Sequence, residues 1–279
     1  MLQVLVGATA VLVVALFSYF FAFKMKASQH DLGKTFVVII PSYNNKDWYQ
    51  KNLDSVCFQD YQNYRVIYID DASSDGTATL VERYIKEKKL QAKVSLIQNK
   101  TRHLALANLY QAIHSCKPHE IIITVDGDDW LSSDKALSYL NTIYADPDVW
   151  MTYGQFIYYP EERHGYAELV PQEVLLKNRI REHPGGPTHL RTFYATLFQK
   201  IHKEDMLYNG NFFPMAWDVA FLLPIMEMAG THSRFIPDVL YVYNTSTALH
   251  DHVVNPSLQA ALDAIIRKQK KYQPIEKIW

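Results

Sequence analysis

Cysteine and glycine are scarce in this sequence, and neither sign of charge is in excess. Two cysteines, Cys57 and Cys116, among 279 residues cannot build a disulfide framework, and neither lies in a zinc-binding pattern. The 28 Lys and Arg residues balance 29 Asp and Glu residues, so we expect no nucleic-acid partner. Neither G-x-G-x-x-G nor a Walker A motif occurs, and a dinucleotide cofactor or a P-loop is therefore unsupported.

The amino terminus carries a long apolar segment. The 22 residues from Leu2 to Phe23 contain no charged side chain, which is enough to span a bilayer. Lys24 and Lys26 follow this segment, whereas a cleavable signal peptide has its basic residues before the apolar stretch. We therefore predict an uncleaved transmembrane anchor over residues 1–26 and a polar linker over residues 27–34.

The flanking charges also predict the orientation of this anchor. The lysines that follow the apolar segment place the carboxyl-terminal domain in the cytoplasm by the positive-inside rule. Asn99 and Asn244 each begin an Asn-x-Ser/Thr pattern, which keeps a luminal orientation in the Golgi or endoplasmic reticulum open.

Four short apolar segments alternate with helical periodicity in the first half of the domain. They cover residues 35–40, 64–69, 93–98 and 120–125 and are rich in β-branched side chains. Such segments are typical of strands that are buried on both faces of a parallel sheet. The fold class predicted is α/β, with a doubly wound, mainly parallel sheet flanked by helices.

The alternation weakens after about residue 150, which predicts a division of the domain. We expect a ligand-binding half over residues 35–150 and a second half over residues 151–255. An amphipathic helix is predicted over residues 256–279, where Lys and Arg residues alternate with apolar ones.

Polar segments follow each of the four predicted strands. They are residues 41–45, 70–76, 99–103 and 126–129. Ligands of open α/β sheets bind beyond the carboxyl ends of the strands, so these segments are predicted to form one site.

Two of these polar segments are acidic. Asp126, Asp128 and Asp129 would repel one another unless a cation neutralises them, and a hard divalent ion that also binds phosphate is the natural counter-ion. A solvated turn or a helix cap is the alternative for these residues. For Asp71 we favour ligand contact, and for Asp75 we favour capping of the helix that begins at Thr77.

Three motifs together resemble a known family. IIPSYNN, IDDASSDGT and VDGDDW, in this order, are similar to the nucleotide-sugar domain of family 2 glycosyltransferases, which have the GT-A fold. The resemblance covers residues 35 to 250. It implies the inverting transfer of a sugar from a UDP- or GDP-sugar to a hydroxyl of a glycan or lipid-linked acceptor, with Mn²⁺ or Mg²⁺ as cofactor.

The resemblance also implies roles for individual residues on the donor side. Pro41 and Tyr43 would flank the nucleoside, and Asp71 would contact the base. Asp126 would lie near the ribose and Asp128 would bind the metal, in a D-x-D element that is completed by Gly127. Arg102 would contact the diphosphate.

Three downstream segments extend this resemblance. Residues 215–230 resemble the segment that supplies the catalytic base, which would be Asp218. Residues 241–253 resemble a loop that places a histidine near the metal, which would be His252 or His250. Residues 186–201 resemble the segment that closes over donor and acceptor.

Two other functions stay open at this stage. Trp217 replaces the acidic residue that often precedes the base, and the segment after Asn99 lacks the glycine found in many relatives. Both departures are compatible with a non-catalytic protein that binds nucleotide-sugars or acts as a scaffold. A nucleotidyltransferase would use the same carboxylate and metal chemistry.

Overall fold

The computed structural model of the chain describes residues 33–247 and 255–279. The predicted anchor, most of the predicted linker, His250 and His252 lie outside these ranges. Residues 35–279 form one compact unit. Among the described residues, no helix is both long enough and apolar enough to cross a membrane.

The first half of the domain is a parallel sheet with crossover helices. All seven residues of the first strand are buried, because helices cover both faces of the sheet there. The strands are β1 (Phe36–Ser42), β2 (Tyr64–Asp70), β3 (Val94–Gln98) and β4 (Ile121–Thr124). The helices between them are α1 (Tyr49–Cys57), α2 (Thr77–Glu87) and α3 (Ala105–His114). The four strands run parallel in the spatial order β3-β2-β1-β4.

The prediction that all four strands are buried on both faces is wrong for β3. Val94 is its only buried residue, and Ile97 is 44% exposed. The reason is position, because β3 is the edge strand of the sheet and pairs with β2 alone.

The second half extends the same sheet with strands of both directions. The order continues from β4 as β7 (Arg191–Tyr194), β6 (Met151–Tyr159), β10 (Ser233–Asn244) and β5 (Trp130–Leu131), which gives a sheet of eight strands. β7 runs antiparallel to both of its neighbours, and β5 runs antiparallel to β10. The sheet is therefore mostly parallel, as predicted, with two antiparallel strands.

The strands of the second half are β5 (Trp130–Leu131), β6 (Met151–Tyr159), β7 (Arg191–Tyr194), β10 (Ser233–Asn244) and a separate hairpin of β8 (Leu207–Tyr208) and β9 (Asn211–Phe212). Its helices are α4 (Ala136–Ile143), α5 (Gln172–Leu176), α6 (Ala195–Gln199), α7 (Trp217–Ala229) and α8 (Pro256–Lys268). Short 3₁₀ turns cover Ile180–Glu182, Lys203–Met206 and Gly230–His232.

Strand β7 corrects the expectation for residues 186–201. Residues 191–198 are buried, and β7 lies in the middle of the sheet between β4 and β6. This part of the segment belongs to the core and does not close over a ligand. Because β7 is antiparallel to β4, its first residue, Arg191, pairs with Thr124 at the carboxyl end of β4.

The carboxyl-terminal segment is helical over only part of the predicted range. Helix α8 ends at Lys268, and residues 269–279 continue without regular structure. A buried ion pair fixes this segment, since the Arg181 guanidinium lies 2.6 Å from a Glu227 carboxylate oxygen. Arg181 also donates to the carbonyl oxygen of Ile266, and Glu227 accepts a hydrogen bond from the backbone N–H of Tyr272.

Candidate active site

A cavity of about 540 Å³ opens at the carboxyl edge of the sheet. It lies where the polar segments that follow β1, β2, β3 and β4 meet, as the sheet topology requires. Every predicted site residue in the described part of the chain lines it. These residues are Pro41, Tyr43, Asp71, Arg102, Asp126, Gly127, Asp128 and Asp218.

The acidic loop between β4 and β5 is held in place by α1 and β1. The buried Asn52 amide donates to the carbonyl oxygens of Asp126 and Asp129, at 2.9 and 2.8 Å. Gly127 passes so close to β1 that a Cβ atom there would lie 2.6 Å from Ser42 Oγ and 2.5 Å from Asn45 Nδ2. Only glycine allows this approach, so the sequence of the loop fixes its position against the strand.

Asp126 and Asp128 are half-buried carboxylates on the wall of the cavity. The pKa of Asp126 is raised to about 7, chiefly by burial, with Arg191 opposing the rise and the neighbouring Asp128 and Asp218 adding to it. Burial also raises the pKa of Asp128 to about 6. Within the described residues no ion pair involves Asp128, so its negative charge is available to a cation in the cavity.

Asp129 has a structural role, although the sequence placed it with Asp126 and Asp128 as a carboxylate that a cation would neutralise. Its carboxylate is buried and accepts hydrogen bonds from the Tyr241 hydroxyl at 2.6 Å and the Asn244 N–H at 2.7 Å. It therefore fastens β10 to the acidic loop. Asn244 is itself fully buried, and its amide donates to the carbonyl oxygen of Asp128, so this Asn-x-Ser/Thr site is closed in the folded chain.

Asp71 organises the loop between β3 and α3. Its carboxylate accepts hydrogen bonds from the Asn99 amide and from the backbone N–H groups of His103 and Leu104, at 2.7 to 2.8 Å. Burial alone would raise the pKa of Asp71, but these hydrogen bonds lower it below its ordinary value. It is thus an ionised acceptor on the cavity wall that also shapes the wall.

Arg102 comes from the loop that Asp71 organises. Its guanidinium lies over the ring of Tyr43, with 3.8 Å between Cζ and the ring centroid. This contact between two predicted donor-side residues orients the exposed cation at the cavity mouth.

Two other residues of the acidic segment 70–76 have structural roles. Asp75 accepts hydrogen bonds from the N–H and the hydroxyl of Thr77, so it caps the start of α2 as predicted. Asp70 is buried and accepts the Ser73 N–H, which is a turn-forming role.

Asp218 lines the same cavity from the first turn of α7. Its Oδ2 accepts a hydrogen bond from Arg191 Nη2 at 2.7 Å, and its Oδ1 accepts the Val219 N–H at 2.9 Å. The side chain is 29% exposed, so it remains accessible from the cavity. Asp218 thus accepts an N–H of the first turn of α7 while part of its side chain stays exposed.

Arg191 and His189 are the parts of this site that sequence reasoning largely missed. Arg191 is buried, and although burial lowers its pKa, the carboxylates of Asp218 and Asp126 raise that pKa above its ordinary value. Its Nη2 also lies 2.9 Å from His189 Nε2. Burial lowers the pKa of His189, and the positive charge of Arg191 lowers this pKa further. A neutral histidine and a permanent cation therefore support Asp218.

Aromatic side chains complete the wall. Tyr158 and Trp217 both line the cavity, whereas Tyr159 packs on Trp48 and Trp130. Other lining residues gave no local sequence signal, since only the fold brings them here. They are Phe156, Arg163, Tyr166 and Tyr243.

The donor set at Asp126 and Asp128 fits a magnesium or manganese ion. Carboxylate oxygens are the ligands that these hard ions prefer, and such an ion completes its shell with phosphate oxygens and water. The described residues contain no group of three His, Cys, Asp or Glu side chains that could hold a metal on their own.

The sequence over residues 37–205 matches the family model for glycosyl transferase family 2. This range covers more than half of the chain and includes the acidic loop. The chain belongs to glycosyl transferase family 2. The predicted family and enzyme class are confirmed at this level, while Asp218 and α7 lie beyond the matched range.

Individual relatives of this family 2 chain match shorter parts of it. Poly(ribitol-phosphate) β-N-acetylglucosaminyltransferase TarS of Staphylococcus aureus is 31% identical over 107 residues, which is 36% of this chain and 17% of TarS. An uncharacterised glycosyltransferase of Haemophilus influenzae is 26% identical over 156 residues, which is 51% of this chain and 49% of that protein. The chain therefore spans less than half the length of either relative.

Solved structures share the fold. TarS residues 1–349 with UDP-GlcNAc superpose with a TM-score of 0.57 at 18% identity, covering 83% of this chain and 66% of that one. The mannosyltransferase PcManGT of Pyrobaculum calidifontis with GDP-Man and Mn²⁺ gives 0.58 at 21% identity, covering 85% and 65%. The predicted GT-A-like α/β architecture is thus confirmed.

Proposed function

We propose that the protein is an inverting glycosyltransferase that moves a sugar from a UDP- or GDP-sugar to an acceptor hydroxyl of a glycan or lipid-linked glycan. The observation that carries this proposal is the convergence of eight predicted residues on one cavity, among them the paired carboxylates Asp126 and Asp128 and the proposed base Asp218. Similar proteins solved with UDP-GlcNAc and with GDP-Man and Mn²⁺ support the donor class.

The donor half of the cavity suits a nucleoside diphosphate. Asp71 is an ionised acceptor for a base N–H, and Pro41 and Tyr43 supply flat surfaces beside it. Arg102, oriented by Tyr43, lies close enough to the cavity to meet a phosphate. Asp126 and Asp128 would hold Mn²⁺ or Mg²⁺, and His252 is a further proposed ligand from outside the described residues. When bound, the ion supplies Lewis-acid stabilisation of the diphosphate charge.

Asp218 is the proposed general base. As the acceptor oxygen attacks the anomeric carbon, its proton passes to the Asp218 carboxylate. The bond between the anomeric carbon and the phosphate oxygen breaks, and the nucleoside diphosphate leaves with the bonding electron pair. Attack from the side opposite the leaving group inverts the anomeric configuration. Arg191 holds Asp218 through a 2.7 Å hydrogen bond and keeps its oxygens directed at the cavity.

We also propose the predicted membrane placement. The apolar segment of residues 2–23 would anchor the chain as a single-pass protein, with residues 27–34 as a linker and the catalytic domain in the cytoplasm. The buried Asn244 side chain gives no support to the luminal alternative. The division of the domain at about residue 150 is kept as part of this proposal.

The test is nucleoside diphosphate release by the full chain from UDP- and GDP-sugars with Mn²⁺ or Mg²⁺. Asp218→Asn should lower transfer about 10²–10⁴-fold and keep donor binding, because a general base acts only on the acceptor proton. Asp128→Ala should lose metal-dependent donor binding, and the exposed Asp60→Asn serves as a control that keeps both. Undiminished turnover in the first two variants would refute the site assignment.

Product analysis separates the remaining functions. A glycosyltransferase releases nucleoside diphosphate and gives an inverted glycoside, which NMR of the product identifies. Formation of a nucleotide-sugar and pyrophosphate from a nucleoside triphosphate would instead identify a nucleotidyltransferase. Donor binding without sugar release over a broad acceptor panel would identify a non-catalytic binding protein.

A further inference from the structure

The edge of the sheet opposite the cavity carries a basic and aromatic surface under the parallel half. It is formed by the segments that precede β2, β3 and β4, where helices α1, α2 and α3 end. We define the amino-edge surface as Phe58, Lys88, Lys89, Lys93, Lys117 and Trp279.

The lysines of this surface carry charge that the protein does not neutralise. Lys88, Lys89 and Lys117 are exposed, and Lys93 is half-buried with its Nζ 4.2 Å above the Tyr64 ring. No ion pair involves any of these four lysines within residues 33–247 and 255–279.

The nearby acids do little to offset these lysines. Glu120 is bound to Arg65 at 3.0 Å, and Glu87 lies 4.0 Å from Arg83. Asp60 and Asp134 remain as exposed acids near Phe58, since the Asp60 N–H donates to the Asp134 carbonyl oxygen at 2.8 Å, and these two are fewer than the four lysines. The amino-edge surface is therefore cationic.

Two large aromatic side chains project from the same edge. Phe58 is 50% exposed where α1 ends, and Trp279 is 65% exposed. The Trp279 ring packs edge-on against Tyr194, which pairs with Ile121 at the amino end of β4. Aromatic rings beside lysines are the combination that anchors proteins at the interface of an anionic bilayer.

We propose that the amino-edge surface docks on an anionic lipid bilayer. This inference rests on the membrane placement proposed above, and chain continuity supports it. The chain enters the sheet at this edge, since Thr35 directly precedes β1, and only the eleven residues 24–34 separate Thr35 from the end of the apolar segment at Phe23.

The charge on the opposite edge favours the same arrangement. Asp126, Asp128 and Asp218 line the cavity there, and an anionic lipid surface would repel them. β1 has seven residues, so the two edges are about 23 Å apart at about 3.3 Å per residue. In the docked enzyme the cavity would lie about 23 Å above the lipid surface, at the outer end of an extended lipid-linked glycan.

The test is hydrogen exchange of the full chain in nanodiscs of phosphatidylcholine, with and without phosphatidylglycerol. Peptides covering residues 57–63, 86–93 and 114–119 should exchange more slowly in the anionic discs. Lys88→Glu with Lys89→Glu should return that exchange to the zwitterionic level. The matched pair Lys46→Glu and Lys100→Glu, on loops at the carboxyl edge, should leave the protection in place.

Several results would overturn the inference. These are equal exchange in both discs, protection that survives the Lys88 and Lys89 substitutions, and a full chain that does not co-purify with discs. Nucleoside diphosphate release in detergent, measured on the same variants, reports separately on the proposed function. The Lys88 and Lys89 variant should keep that activity.

Discussion

Replacing the proposed metal ligand Asp128 with asparagine should make the metal-free protein more stable at neutral and alkaline pH. Burial raises the pKa of this carboxyl from 3.8 to about 6 in the folded chain, so stability falls as the pH rises from about 4 to about 6 and stays lower above that range. The corresponding free energy is about 3 kcal/mol. Because Asp128 keeps some solvent contact, we expect about half of this value. That is about 1.5 kcal/mol, or a rise in Tm of about 3–6 °C for a domain of this size.

The pH dependence identifies the cause. Near pH 4 Asp128 is protonated in the folded chain and about half ionised in the unfolded chain, so only a small part of the stabilisation by Asp128→Asn should have developed. It should grow as the pH rises and be complete by about pH 7. Asp75 provides a control of opposite sign, because hydrogen bonds from Thr77 and Lys46 lower its pKa although burial alone would raise it. Asp75→Asn should therefore lose stability above pH 4.

The assay is thermal unfolding of the metal-free chain between pH 4 and pH 8, followed by the same series with Mn²⁺ and donor. The wild type should gain stability from these ligands, and Asp128→Asn should not. A stabilisation of equal size at pH 4 and pH 8, or a loss of stability at pH 8, would refute the electrostatic explanation.

Three further substitutions probe the framework of the site, each by chemical unfolding and donor binding. Gly127→Ala should cost about 1–3 kcal/mol and weaken donor binding, because its Cβ would collide with Ser42; unchanged binding would contradict the close approach. Asn52→Ala should lower the free energy of unfolding by about 1–3 kcal/mol, because two hydrogen bonds to the acidic loop are lost. An unchanged stability would mean that the loop keeps its position without Asn52. Arg181→Met should lower the free energy of unfolding by about 3–5 kcal/mol, because it leaves the Glu227 carboxylate buried without its partner. The double variant with Glu227→Leu should recover most of this stability. A double variant as unstable as Arg181→Met would argue that the unpaired Glu227 charge is not the cause.

Much of the parallel half of the fold could be predicted because its signals are local. Consecutive β-branched residues mark β1, β2 and β4, and polar residues at their carboxyl ends mark the edge where ligands bind. The same reasoning failed at β3, since an apolar segment does not reveal whether a strand lies at the edge of a sheet. Burial of a strand depends on neighbours that are distant in sequence.

The second half of the site depends on long-range contacts and could not be predicted in this way. Arg191 reaches Asp218 only because β7 inserts antiparallel beside β4, and no periodicity in the sequence marks that insertion. Asp129 belongs to the acidic motif in the sequence, yet its carboxylate accepts a hydrogen bond from the Tyr241 hydroxyl, 112 positions away. Polar residues of one motif can thus divide between ligand-facing and structural roles.

A crystal structure of the full chain with a nucleotide-sugar and Mn²⁺ would test the central claim most directly. We predict that the ion lies between the Asp128 carboxylate and the diphosphate, with Asp71 beside the base and Asp218 across the sugar. An ion and donor bound elsewhere, with Asp128 turned away from both, would contradict the account.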